Sequence, residues 1–220
     1  LEDGSIDIIV GTHSLIQKDV NFKKLGLVVT DEEHRFGVKQ RVSMVGKGYL
    51  IDHLKMSATP IPRTLAISLL GESDISIIKT LPGNRKEVYT KYVSFDKIES
   101  VLNHIKEQVN EGRQAYMITP MIEASDTMDL ENALSVYEKT KKAFEGICEV
   151  GIIHGKLKTE EKEEVMKKFY NNEIQILVST SVIEVGVNVV NATTIVILDA
   201  DRFGIAQLHQ MRGRVRRSDY

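Results

Sequence analysis

Two hydrophobic rhythms alternate along this chain. Short runs rich in valine and isoleucine recur at intervals, and between them apolar positions return every three or four residues. The first rhythm predicts strands and the second amphipathic helices. Strands are expected at residues 6–10, at 26–30, within 53–60 and at 75–78, and again at 88–93, 114–119, 150–153, 174–178 and 194–198. Helices are expected within 35–47 and at 64–70; through Phe95, Ile98, Val101, Leu102, Ile105 and Val109, ended by Gly112; and through Leu130, Leu134, Tyr137, Lys141 and Phe144. Another starts at Thr159 as N-cap, with Glu160, Glu161, Glu163 and Glu164 placed to complement the helix dipole, and the last covers 205–217. Repeated strand-helix units predict an α/β fold with parallel sheets. Leu81-Pro82-Gly83-Asn84-Arg85 reads as a linker, so the alternation restarts after it and divides the chain into lobes at 1–82 and 83–220.

Composition narrows the class without naming it. The chain has 220 residues, 42% of them hydrophobic, which is ample for a packed core. No apolar run approaches the ~20 residues that span a bilayer, and no signal-peptide pattern is present, so a cytoplasmic protein without a membrane partner is expected. The single cysteine, Cys148, excludes an internal disulfide and a cysteine zinc cluster, and reads as a small core filler. With 29 basic against 31 acidic residues there is no general basic coat, although a local basic groove remains open.

The candidate chemistry clusters at predicted strand ends. The apolar run at 26–30 reads as a strand buried on both faces, and it delivers Asp31, Glu32, Glu33 and His34 to the carboxyl edge of its sheet. Adjacent hard oxygen donors there suit Mg²⁺ in a phosphoryl-transfer site; a solvated acidic turn is the bland alternative. Gly11-Thr12-His13-Ser14, His154-Gly155 and Thr180 also follow predicted strands, where free amides and hydroxyls suit sugar and phosphate contacts, although each alone could be an ordinary turn and His154 a structural histidine. Arg214 and Arg217, three apart, would share one face of the last helix, where guanidinium groups suit phosphoryl oxygens or simply solvent. His34 and His209 have no zinc spacing.

Taken in order, several stretches resemble the RecG/Mfd group of superfamily-two DNA helicases. Asp31-Glu32-Glu33-His34-Arg35-Phe36-Gly37-Val38 resembles motif II, Gly11-Thr12-His13 motif Ib, and Ser57-Ala58-Thr59-Pro60-Ile61-Pro62-Arg63-Thr64 motif III. Residues 180–187 resemble motif V and residues 207–217 motif VI, while 112–116 and 120–125 favour the RecG side over the Mfd side. The resemblance covers essentially the whole chain. It implies two RecA-like parallel-sheet lobes of a P-loop NTPase helicase core, the first truncated at its N-terminus, in a monomeric piece of an ATP-dependent translocase that remodels stalled forks and Holliday junctions. By resemblance Asp31 holds Mg²⁺ through water, Glu32 activates the attacking water, and Arg214 and Arg217 are arginine fingers. His34, Glu184, Gly186 and Gln210 line the ATP site; Gly11, Thr12, His154, Gly155 and Thr180 contact the backbone of branched or forked DNA; Ser57 and Thr59 couple the two.

Departures and gaps qualify that picture. Asn188 stands where motif V usually has an acid and Val190 where it has proline, and Arg216 replaces a motif VI glycine. These favour a rival reading, a degenerate, non-catalytic DNA-binding relic; an Mfd-like transcription-repair translocase is the other. No Gly-x-x-x-x-Gly-Lys-Ser/Thr occurs, and the chain opens without Met, so an excised piece, inactive alone, is expected.

Overall fold

The structure is a computed structural model that describes residues 1–17, 19–32, 50–57, 74–78, 80, 88–120, 126–180 and 189–215. The chain divides into two compact units, Leu1–Ser73 and Asp74–Tyr220. The division falls ahead of the Pro82-Gly83 stretch singled out as a linker, which lies outside the described residues.

In the first unit, β1 (Leu27–Asp31) and β2 (Asp52–Met56) pair in parallel, with Leu27 opposite Asp52 and Asp31 opposite Met56. The expectation of a strand buried on both faces fails for β1. Leu27 and Val29 are 58% and 50% exposed, and only Thr30 is buried, because residues alternate between faces and one face of this two-stranded ladder is open. Residues 6–10 are not a strand either: a β-run needs a neighbour to complete its hydrogen bonds, and Ile8 and Val10 stand exposed. The chain instead turns through a short 3-10 helix, His13–Ile16. The helices expected within 35–47 and at 64–70 lie outside the described residues.

The second unit is built around four parallel strands, β3 (Gln114–Ile118), β4 (Val150–Ile153), β5 (Ile176–Ser179) and β6 (Ala192–Ile197), in the order β4-β5-β3-β6. Among the described residues four α-helices accompany it: α1 (Ile98–Asn110), α2 (Asp126–Ala143), α3 (Thr159–Tyr170) and α4 (Ile205–Arg212). Strand alternation sorts the core into two layers. Ala115, Met117, Ile176 and Val178 point towards α1 and α2, packing with Ile105, Val109 and Phe144. Tyr116, Ile118, Ile153 and Leu177 point the other way, onto Met166 and Phe169 of α3 and Met211 of α4. The Tyr116 and Phe169 rings stack tilted at 5.0 Å, and truncating so buried a phenylalanine typically costs about 3–5 kcal/mol. At Gly151 a Cβ would come within 2.8 Å of the end of the Ile174 side chain, so a larger residue there would make Ile174 shift.

Four sequence expectations need correction here. Residues 75–78 and 88–93 join no ladder, with Ile78, Tyr89 and Tyr92 almost fully exposed; β-branched and aromatic content favours a strand but cannot supply a partner. The N-cap of α3 is Lys158 rather than Thr159, because Glu161 reaches back to accept from the Lys158 amide at 2.8 Å and closes the first turn one residue earlier. The final helix stops at Arg212 instead of continuing to 217: beyond Gly213 the Arg214 amide bonds back only three residues, to Met211 O at 2.9 Å. Arg214 therefore sits in the turn after α4 and not on the helix; Arg217 lies outside the described residues.

Candidate functional site

Parallel strands collect their following loops on one edge, and ligands of such sheets bind there. In the first unit that edge carries Asp31, Glu32 and Ser57. Asp31 closes β1 with an exposed carboxylate whose Oδ1 accepts the Glu32 amide at 2.9 Å. Glu32 then leaves the strand with φ 51, a left-handed conformation that costs a non-glycine residue about 1–2 kcal/mol. Ser57 follows Met56, the residue opposite Asp31, so the ends of β1 and β2 lie side by side. Behind them Thr30 Oγ1 and His53 Nε2 are 3.0 Å apart, a contact that the strand pattern did not announce.

Gly11 and Thr12 are exposed, and Thr12 caps the 3-10 helix with its carbonyl accepting from Leu15 at 3.1 Å. His34 and Thr59 lie outside the described residues, as do Glu184, Gly186 and Arg217.

In the second unit the carboxyl edge brings His154, Gly155 and Thr180 together. Ile153 pairs with Ser179, and the Thr180 amide donates to Ile153 O at 3.4 Å, so the two loops leave the sheet as neighbours. Thr119, at the end of β3, ties the same edge by donating its amide to Ser179 O at 2.9 Å. His154 Nδ1 is buried and has no hydrogen-bond partner among the described residues. Desolvation, and then the charge of Lys162 with a further contribution from Lys156, holds the imidazole below its ordinary range, against a smaller opposing pull from Glu161. These surroundings favour the neutral form of His154. Lys162 also donates to the Gly155 carbonyl at 3.2 Å, pinning the turn. Sequence reasoning passed over Lys162; its position one turn into α3, on the side facing the His-Gly turn, was the available signal. Lys156 and Lys158 add positive charge to the same exposed loop, beside the glutamates that open α3.

Gln210 and Arg214 are both half-buried, in α4 and in the turn after it, where Met211 and Val215 anchor the segment in the core. Arg212, between them, is exposed and donates to Val88 O at 3.4 Å. Cys148 packs beside Phe144 and α2, and burial pushes its thiol up to about 11, far from a nucleophile's range. Among the described residues no three His, Cys, Asp or Glu side chains converge to grip a metal ion directly. An exposed strand-end carboxylate of the Asp31 kind instead fits a hydrated Mg²⁺ held largely through its own waters. Among the described residues no helix is long and apolar enough to cross a membrane.

Residues 96–219 match the family described as helicase conserved C-terminal domain. The chain belongs to that family. Beyond this helicase domain, all 220 residues align with the ATP-dependent DNA helicase RecG of Bacillus subtilis (strain 168) at 54% identity, and with that of Staphylococcus aureus (strain NCTC 8325 / PS 47) at 53%. The chain spans about a third of the length of these curated relatives, 32% in each case. Among solved structures, RecG bound to a three-way DNA junction matches with a TM-score of 0.68 and 44% identity over 96% of this chain and 27% of that one. Saccharomyces cerevisiae Dbp5 bound to RNA and ADP BeF3, at 17% identity and a TM-score of 0.57 over 94% of this chain and 53% of that one, shares the fold alone. The resemblance drawn from the motifs is borne out on its RecG side, and the parallel α/β architecture is that of RecA-like helicase lobes.

Proposed function

We propose that this helicase-family chain is part of an ATP-dependent double-stranded DNA translocase of the RecG kind, one that remodels stalled replication forks and Holliday junctions from the cytoplasm. The observation that carries the reading is the Asp31-Glu32 pair leaving the carboxyl edge of β1 in a chain 54% identical to RecG along its whole length. On this reading Asp31 would hold a hydrated Mg²⁺, which would supply charge neutralisation at the phosphates of a bound ATP. Glu32, which follows Asp31 in a left-handed backbone conformation, would take the proton of the attacking water. Arg214 supplies positive charge to the phosphoryl oxygens, joined by Arg217 beyond the described residues, with Gln210, His34, Glu184 and Gly186 completing the nucleotide contacts.

Gly11, Thr12, His154, Gly155 and Thr180 would follow the DNA backbone, and Ser57 and Thr59 would couple that grip to the nucleotide. A neutral His154 bonds a phosphate oxygen without adding charge, while Lys156 and Lys158 supply the counterion-releasing part of the affinity. None of these groups reads base edges, which suits an enzyme that recognises branch geometry. The lobe boundary at 82/83 belongs to the same proposal. Asn188 and Arg216 favour the second reading, a DNA-binding relic without turnover. The test is unwinding of a synthetic three-way junction by the full-length protein with ATP and Mg²⁺. ATP-dependent strand separation supports the translocase; junction binding without strand separation or hydrolysis supports the relic.

A further inference from the structure

The strand ends that present Asp31, Glu32 and Ser57 are joined by more than the backbone ladder. Thr30 Oγ1 and His53 Nε2 lie 3.0 Å apart. Val28 is opposite His53 and Thr30 opposite Lys55, so this bond runs diagonally between the strands, on the face away from Leu27, Val29 and Asp31. Thr30 is buried, which makes a partner for its hydroxyl obligatory, and His53 is half-buried. A threonine hydroxyl both donates and accepts, so the contact holds with either imidazole tautomer.

Its place in the chain gives the contact consequence. One residue beyond Thr30 the strand ends, and two beyond it Glu32 occupies a left-handed conformation that persists only where the surroundings determine it. Four residues beyond His53 comes Ser57. We infer that His53 is a positioning residue for hydrolysis: by holding Thr30 it fixes the end of β1 against the end of β2, and so sets where Asp31 and Glu32 stand relative to Ser57. The inference rests on the proposed role of Asp31 and Glu32. Reacting groups misplaced by about an ångström lose orders of magnitude in rate, so a contact this close to the acids acts on turnover before it acts on folding.

The experiment measures DNA-stimulated ATP hydrolysis by the full-length protein carrying Thr30→Val, His53→Leu, both together, Thr30→Ser or His53→Gln. Each of the first two lowers kcat by about tenfold, the loss of roughly one hydrogen bond's preference for the correct geometry, and leaves the KM for ATP within about twofold. The double variant loses less than the two singles combined, because the Thr30–His53 contact is removed in each. Thr30→Ser and His53→Gln retain polar partners and recover to within about threefold of the parent. Thermal midpoints recorded alongside separate positioning from folding. A kcat within twofold of the parent in both apolar variants, with lowered midpoints, overturns the inference, as do additive losses in the double. Should His53→Leu not fold, the contrast of Thr30→Val with Thr30→Ser decides alone. Glu32→Gln runs in parallel: if it abolishes hydrolysis while the Thr30 variants are silent, only the positioning role fails, and if Glu32→Gln hydrolyses ATP normally, the reading beneath it fails as well.

Discussion

Gln114 offers a sharp test of how the second unit holds its sheet. Its side chain is fully buried at the start of β3, the central strand that joins β5 to β6. Nε2 donates to Phe169 O at 2.5 Å and to Ile174 O at 2.7 Å, and Oε1 accepts from Asn191 Nδ2 at 3.2 Å. One amide thereby ties the end of α3, the approach to β5 and the approach to β6. In Gln114→Leu the volume is nearly kept and the three bonds are lost. Phe169 O still accepts from Asn172 and Asn191 still donates to Gly112 O, so two of the three partners retain a bond. At about 1 kcal/mol per lost bond, with a further penalty of about 1 kcal/mol for Ile174 O, the expected loss is about 2–4 kcal/mol, reduced by the gain in apolar packing. For a domain of this size that lowers Tm by roughly 6–12 °C. The chain has no tryptophan, so far-UV circular dichroism in urea is the suitable assay. Gln114→Leu matching or exceeding the parent in stability would refute the reasoning, since it would mean that apolar burial serves this position as well as the network does.

Three further outcomes are expected. His154 titrates below its ordinary 6.5, and Lys162→Met raises the midpoint, as followed by imidazole NMR shifts; a midpoint above 6.5 contradicts the burial argument. Because the folded chain resists protonating this group, its contribution to stability is complete above pH 6.5 and fades as pH falls through the folded value, so urea midpoints should drop on acidification in the parent and less so in His154→Gln. In the first unit, Glu32→Gly should be more stable than Glu32→Ala by about 0.5–1 kcal/mol, since only glycine relieves φ 51; equal stability would show that the turn is unstrained. Binding of the 220-residue chain to branched DNA should be weak and fall steeply between 50 and 200 mM salt, and titration by fluorescence anisotropy checks it; a flat response would rule out phosphate contacts as the main source of affinity.

What could be read in advance follows from what the sequence encodes locally. The helical periodicity of Ile98 to Val109 and the dense apolar runs of β3 and β5 are self-sufficient signals, because those elements bury the residues that define them. The runs at 6–10, 75–78 and 88–93 carry the same signal, but a strand is a property of two segments, and a single sequence says nothing of the missing neighbour. The end of α4 is masked by the arginines around Gly213, which are good helix formers; Gly213 itself was the available stop signal, and the hydrogen-bond shift after it depends on how Met211 and Val215 seat in the core. At the candidate site, Asp31, Glu32 and the His154-Gly155 turn were visible as polar groups placed after apolar runs. The left-handed turn at Glu32 was not, since glutamate gives no hint of positive φ. Nor was the Thr30–His53 contact, which exists only through the register of two strands whose pairing had to be seen.

The claim on which the account depends is that Glu32 activates water for ATP hydrolysis while this stretch of chain carries no phosphate-cradling loop. The direct measurement is steady-state ATP turnover with Mg²⁺ and branched DNA, made on the 220-residue chain, on the full-length protein and on full-length Glu32→Gln. The account predicts turnover in the full-length protein, a fall of about 10³-fold or more in Glu32→Gln, and none from the 220 residues alone, which contain no Gly-x-x-x-x-Gly-Lys-Ser/Thr sequence. Glu32-dependent hydrolysis by the 220-residue chain, or full-length turnover indifferent to Glu32→Gln, would contradict it.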